Sequence, residues 1–341
     1  MSTLKKITAV LFAILFISSA VPALILFNFD RKGFTAETYQ KAFARNDFYE
    51  KLPAVMAKAV TATNDGQNNF PIVMPKTSQA AWEVFFRTLL PQETLKAMGD
   101  DVLISTFAYV NRQQDSAKLT LTPLKDSLVS DTGVQAVFTL LKTQSDCTLL
   151  QIGQMTLNLL NQSQIQLCNP PQEIIPLLTP VIQGQLQVAA LAIPDQVTLI
   201  SAPSHDDPRN KLQIARWAMR LSPLLPLGFL FLLTIVAVGS IKSWLIWLGV
   251  PFAATGGVAT LMSLIGAPIF GAILERILIA RMPDYLPAIL LAYASNLATA
   301  MLNAILGSVF WQGLIIGFLG AVMVLVSLLL ALLQHQGGKS I

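Results

Sequence analysis

The chain has 341 residues, 53% of them apolar and only 12% charged, with a mean hydropathy of +0.58. Soluble domains carry about 25% charged residues, so long stretches of this chain cannot face water and two ordinary soluble domains are excluded. With two Cys and two His, Cys-rich zinc modules and disulfide-dense scaffolds are excluded as well.

Four segments are apolar and long enough to cross a hydrocarbon core of about 30 Å, which takes about 20 helical residues. They are residues 7–27, 221–238, 244–265 and 309–333, and none contains Asp, Glu, Lys, Arg or His. The first resembles a signal peptide in offering Ser18-Ser19-Ala20 as a cleavage site. Its apolar run continues through Val21, Leu24, Ile25 and Phe27, too long for a signal h-region, so a retained anchor is expected.

Lys5 and Lys6, Lys242 and Lys339 flank these spans with no acidic neighbour, whereas residues 29–220 hold 17 basic and 17 acidic side chains. The positive-inside rule then predicts cytoplasmic termini and an extracytoplasmic block 29–220. The expected division is an anchor over 1–28, an extracytoplasmic helical domain over 29–220 and a membrane domain over 221–341. The predicted location is an inner or plasma membrane, with the bilayer as the first partner. The net charge of +4 is not clustered as a nucleic-acid surface needs, so no nucleic acid is expected.

Within the outer block, helical periodicity dominates. Thr35 can open a helix over 36–44, and Asn46 or Asp47 one carrying Phe48, Leu52, Val55, Met56 and Val60. Residues 61–76, with Asn64-Asp65-Gly66 and two prolines, read as a polar loop. Helices follow over 78–89 and 91–111, then over 123–127, 133–143, 149–161 and 171–191. Lys118 to Leu121 and Gln196 to Ile200 alternate polar and apolar residues and read as two short strands that can pair as a ribbon. The fold class is therefore mainly α, a polytopic membrane protein with a helical outer domain. Cys147 and Cys168, alone in an oxidising compartment, are expected to form a disulfide.

Residues 267–308 form an outer amphipathic segment. Ser295, Asn296, Thr299 and Asn303 make a polar stripe over 287–306, and Leu297 and Met301 lie on the apolar remainder. An interfacial or docking collar is favoured, either a helix in the interface plane or one continuous with the fourth span that rises to pack on the outer domain, and the alternative is a fifth span. In the membrane, Gly249, Ala253 and Gly257 recur every four residues, as do Gly313, Gly317 and Ala321. This small-residue spacing serves close helix packing within one chain or across a homo-oligomer.

No nucleotide loop, GxSxG elbow or HExxH is present, and no cofactor is implied. Ser204-His205-Asp206-Asp207 reads as a solvated linker and Asp100-Asp101 as a polar helix face. The sequence suggests no enzyme. Its expected role is binding a partner protein or lipid through the outer domain.

Leu90-Pro91-Gln92-Glu93-Thr94, Leu119-Thr120-Leu121-Thr122-Pro123-Leu124-Lys125, Asp146-Cys147, Cys168-Asn169-Pro170-Pro171 and Ile193-Pro194-Asp195, in that order, resemble a group of bacterial integral membrane proteins. These have an N-terminal anchor, an extracytoplasmic domain and C-terminal spans. That resemblance covers about residues 1 to 200 and implies an architecture, without an established activity. The order of one span, a large outer domain and three spans also looks like the permease subunits of mechanotransmission-type ABC exporters. The chain departs from them in offering only residues 239–243 where they carry an ATPase-docking loop.

Overall fold

The computed structural model describes residues 3–63, 77–148, 151, 168–203, 207–237, 239–281 and 288–337. The expected loop over 61–76 and helix over 149–161 thus lie almost wholly outside the described residues, as do Ser204, His205 and Asp206. The described chain falls into two compact units: Met1–Thr38 with Pro203–Arg281 and Ser295–Ile341, and Tyr39–Ala202 with Met282–Ala294.

The first unit is built from helices that the apolar segments dictate. They are α1 (Thr3–Gly33), α9 (Pro208–Leu221), α10 (Leu224–Ala237), α11 (Ile241–Arg281) and α12 (Ala288–Gly337), whose first residues to Ala294 fall in the second unit, the intervening elements belonging to the second unit. Helices α1, α9–α10, α11 and α12 contain stretches long and apolar enough to cross a membrane, and the protein is a multi-pass membrane protein. α1 lies against α10 and α11: Ala9 is buried with Leu233, Ala237 and Leu248, and Val21 with Ala259 and Val309. Leu227, Phe231, Ile235, Ile315 and Phe318 are exposed, as side chains facing lipid should be.

Two expected boundaries move. The span over 244–265 is the first part of a 41-residue helix, and the span over 309–333 is the second part of a 50-residue helix. At 1.5 Å per residue the latter is about 75 Å long, more than twice a hydrocarbon core. Residues 288–308 are therefore continuous with the fourth span, the second of the two expected forms, and are not a separate interfacial helix. Pro268 does not end α11, which is tolerated where a neighbouring helix lies close. Here Ser263 Oγ donates to the Leu306 carbonyl of α12, and a methyl placed on Gly266 would stand 3.3 Å from Leu306.

The second unit comprises α2 (Ala36–Arg45), which begins just before it, α3 (Phe48–Thr63), α4 (Gln79–Leu89), α5 (Gln92–Val110), β1 (Ser116–Thr120), α6 (Thr122–Val129), α7 (Asp131–Leu141), α8 (Ile175–Ala192) and β2 (Gln196–Ser201). Ser78 caps α4 by accepting from the Ala81 N–H at 3.2 Å, a bond that satisfies one of the orphan donors of a helix start. The core is aromatic: Tyr49, Leu89, Leu90 and Leu95 are buried, and Phe43, Phe48 and Phe85 pack on them. A second cluster joins Trp82 to Ala57, Ala81 and Leu140. β1 and β2 pair antiparallel, with Ser116 opposite Ser201 and Thr120 opposite Gln196. The expected ribbon is present, within two residues of each predicted end.

α8 is a fifth helix apolar enough to cross a membrane by length and composition. Its 18 residues are at the lower limit for a span. Leu178 and Ile182 are buried against Leu141 and Cys168 within the second unit, while Leu177, Val188 and Leu191 of the same helix are exposed.

Candidate functional site

The last turns of α1 carry the polar residues Asn28 and Asp30, and both are buried. Burying polar groups at a helix end is costly unless each finds a partner. Asn28 finds α12: its Nδ2 donates to Gln312 Oε1 at 2.7 Å, and Gln312 Nε2 returns a longer bond of 3.4 Å to Asn28 Oδ1. Asp30 finds α9. Arg216 Nε donates to Oδ1 at 2.8 Å and Arg220 Nε to Oδ2 at 2.7 Å. The spacing of four residues puts both guanidinium groups on one face of α9. Arg216 also stacks over the Phe34 ring at 4.5 Å, and Ser222 Oγ donates to the Ala23 carbonyl at 3.2 Å.

This arrangement staples three helices at one level of the membrane unit. The carboxylate has both oxygens engaged by charge-assisted bonds, the stronger class of hydrogen bond. Its exposure is 4%, against 53% for the Arg220 side chain. One negative charge thus faces two positive ones, and the excess sits on the exposed arginine. Asp207 repeats the theme at the start of α9, capping the helix through the Arg209 N–H at 2.9 Å and holding Arg209 Nε at 2.7 Å. The sequence reads the linker cluster that contains it as solvated. Its described member, Asp207, is instead a helix cap with a salt bridge.

Sequence reasoning did not single out Asp30, Arg216 or Arg220. The available signal was Asp30 as the lone acid just beyond the first apolar run, with two arginines spaced four apart and no acid on their own helix. Summing residues 29–220 to zero hid it. Residues 28–33 and 207–221 hold six basic and two acidic side chains, while 34–206 hold 11 and 15. The neutral sum is a positive membrane flank and a negative remainder.

The predicted residues fall as follows. Cys147 and Cys168 are joined in a disulfide, set in a short bridge where the Cys147 N–H donates to the Asn169 carbonyl and the Asn169 N–H to the Ser145 carbonyl. Asn169 Nδ2 also donates to Asp146 at 2.8 Å. Of the small residues, a methyl on Gly249 would stand 2.9 Å from Val324 and 3.0 Å from the Gly320 carbonyl, and one on Gly313 would stand 2.9 Å from Thr260. Gly317 and Ala253 are met by Gly256 and Gly320 respectively. Gly257, however, faces open space, and Ala321 is exposed. Strict four-residue spacing drifts about 40° per step on a helix of 3.6 residues per turn, so the third member of each set has rotated off the contact. Gly256 and Gly320 take those places.

The Leu297 side chain lies outside the described residues, and Met301 is half-buried. Thr299, from the polar stripe, lies 3.3 Å from where a Gly271 methyl would be, so that part of the stripe faces α11. Asp100 accepts a 3.3 Å hydrogen bond from the Tyr49 hydroxyl. Burial first, then the Asp100 charge, holds the Tyr49 phenol well above its ordinary range, so that Asp100 acts as a structural acceptor.

Compared with known proteins, the chain matches no family model, no curated protein and no solved structure.

Proposed function

We propose that this chain is a bacterial inner- or plasma-membrane protein whose second unit lies on the extracytoplasmic side and binds a partner protein or lipid there without catalysing a reaction. The observation that carries the assignment of side is the Cys147–Cys168 disulfide, since such bonds persist in oxidising compartments. The charge rule alone is a weaker support. Arg31, Lys32 and the four basic residues of α9 flank spans on the disulfide-bearing side, although Asp30 and Asp207 neutralise part of that charge. A long domain also crosses largely regardless of its charge.

Binding is favoured by the surface of the second unit. Val197, Leu199 and Ile200 of β2 and Leu177, Val188 and Leu191 of α8 are exposed, and apolar residues in such number on a water-facing domain call for a cover. An export role, with an ATPase docked from the cytoplasm, is less favoured because α10 ends at Ala237 and α11 begins at Ile241.

Two measurements test the proposal. Cysteines introduced at Lys242 and Lys339 in a cysteine-free background should resist an impermeant thiol reagent in intact cells, and their labelling would reverse the topology. Affinity purification of the detergent-solubilised protein, with bound proteins and lipids identified by mass spectrometry, should recover one specific companion. The double change Leu199→Asp and Ile200→Asp should abolish that recovery while the protein stays folded. Unchanged recovery would refute binding through β2, and a stoichiometric ATPase in the eluate would favour the export role instead.

A further inference from the structure

α9 is divided lengthwise. Arg209, Arg216 and Arg220 turn toward Asp207 and Asp30, while Ile214, Trp217 and Leu221 are exposed. These three recur at i, i+3 and i+7, which places them on one stripe within about 60° of arc. After Ser222 and Pro223 the chain continues directly into α10, whose Leu224, Leu225 and Leu227 are exposed in the same way. The stripe is therefore continuous with a lipid-facing surface. Trp is the residue favoured where such a surface meets the headgroups.

The charge of this flank has a consequence. Residues 28–33 and 207–221 sum to +4, from six basic and two acidic side chains. Trp217 and Arg220 are neighbours at i, i+3. Arg220 is tied to Asp30 through Nε alone among the described residues, and its side chain is 53% exposed. A guanidinium held by one edge has its remaining donors already oriented, and its planar fork suits phosphate oxygens.

We propose that the α1–α9 flank binds the phosphate headgroup of an anionic phospholipid, with Arg220 contacting the phosphate and Trp217 packing on the glycerol and upper acyl chain. Lys211, Arg31 and Lys32 add attraction for the leaflet. The Asp30 clamp thus both holds α9 on α1 and aims Arg220 at the headgroup layer. The inference holds for either orientation of the protein in the membrane.

The test uses the full-length protein in detergent, titrated with phosphatidylglycerol and phosphatidylcholine of equal chain length and followed by native mass spectrometry. Phosphatidylglycerol should be retained preferentially. Arg220→Gln should weaken its retention on the order of fivefold, the effect of one basic residue at a membrane surface, and leave phosphatidylcholine unchanged. Because Arg220 also touches Asp30, the double variant Arg31→Gln with Lys211→Gln provides a second reading that spares the clamp, and it should lower the preference in the same direction. Arg87→Gln, on an exposed pair of the second unit, should have no effect. Equal retention of both lipids by the unaltered protein, or a preference unchanged in both variants, would overturn the proposal. Displacement of phosphatidylglycerol by inorganic phosphate alone would also overturn it, by showing a free-anion site.

Discussion

Replacing Asp30 with leucine is expected to destabilise the membrane unit by about 3 kcal/mol, the low end of the cost of removing one partner from a buried ion pair. The loss comes from what is left behind. Arg216 is only 12% exposed, so removing the carboxylate takes away its charge-assisted bond at a partly desolvated position. Arg220 is half exposed and can turn to water, so Arg220→Gln alone should cost less than about 1 kcal/mol, as for a solvent-screened pair. The double change Asp30→Leu with Arg216→Leu should recover much of the loss, because a well-packed apolar pair replaces a buried ionic one at little cost. Thermal unfolding in detergent, followed by tryptophan fluorescence, measures all three. Equal losses for Asp30→Leu and the double variant would show that lost packing, and not the broken ion pair, is the cause.

The ranking of these variants follows from a feature that composition conceals. Helical content, the membrane-crossing segments, the Cys147–Cys168 bond and the β1–β2 ribbon were all legible, because each rests on local pattern: apolar length, cysteine pairing, alternation. The length of α11 and α12 was not. The third span read as ending at Ile265 with a connection over 267–308 beyond it, and the polar stripe at Ser295 and Thr299 read as facing water or a polar cleft. In the fold, Gly266 allows Leu306 to approach, and Thr299 lies beside Gly271. Both are decided by a neighbouring helix that no local window contains. Asp30 escaped notice for the same reason, since its partners lie 186 and 190 residues away. Distant pairing leaves no periodicity.

The α11–α12 contact makes the sharpest distinction between two adjacent residues of the same type. A methyl on Gly256 would stand 2.2 Å from the Gly317 nitrogen and 2.6 Å from the Gly313 carbonyl, all backbone atoms that cannot rotate away. Gly256→Ala must therefore separate two helices along their shared face, which also carries Gly320 against Ala253 at 2.3 Å by the same measure. The expected cost is about 3 kcal/mol, the upper part of the usual range for overpacking. Gly257→Ala meets nothing within 4 Å and should lie within about 1 kcal/mol of the unaltered protein, on the stabilising side from helix propensity. Because the close approach joins two helices of one chain, neither change should alter the oligomeric state if the contact is intramolecular. Detergent-resistant unfolding midpoints give the energies, and multi-angle light scattering gives the mass of the complex. Were Gly257→Ala the more damaging of the two, the contact would follow the four-residue spacing of the sequence and the helix register described above would be wrong. A fall in mass with Gly257→Ala would instead place that open face at a contact between copies.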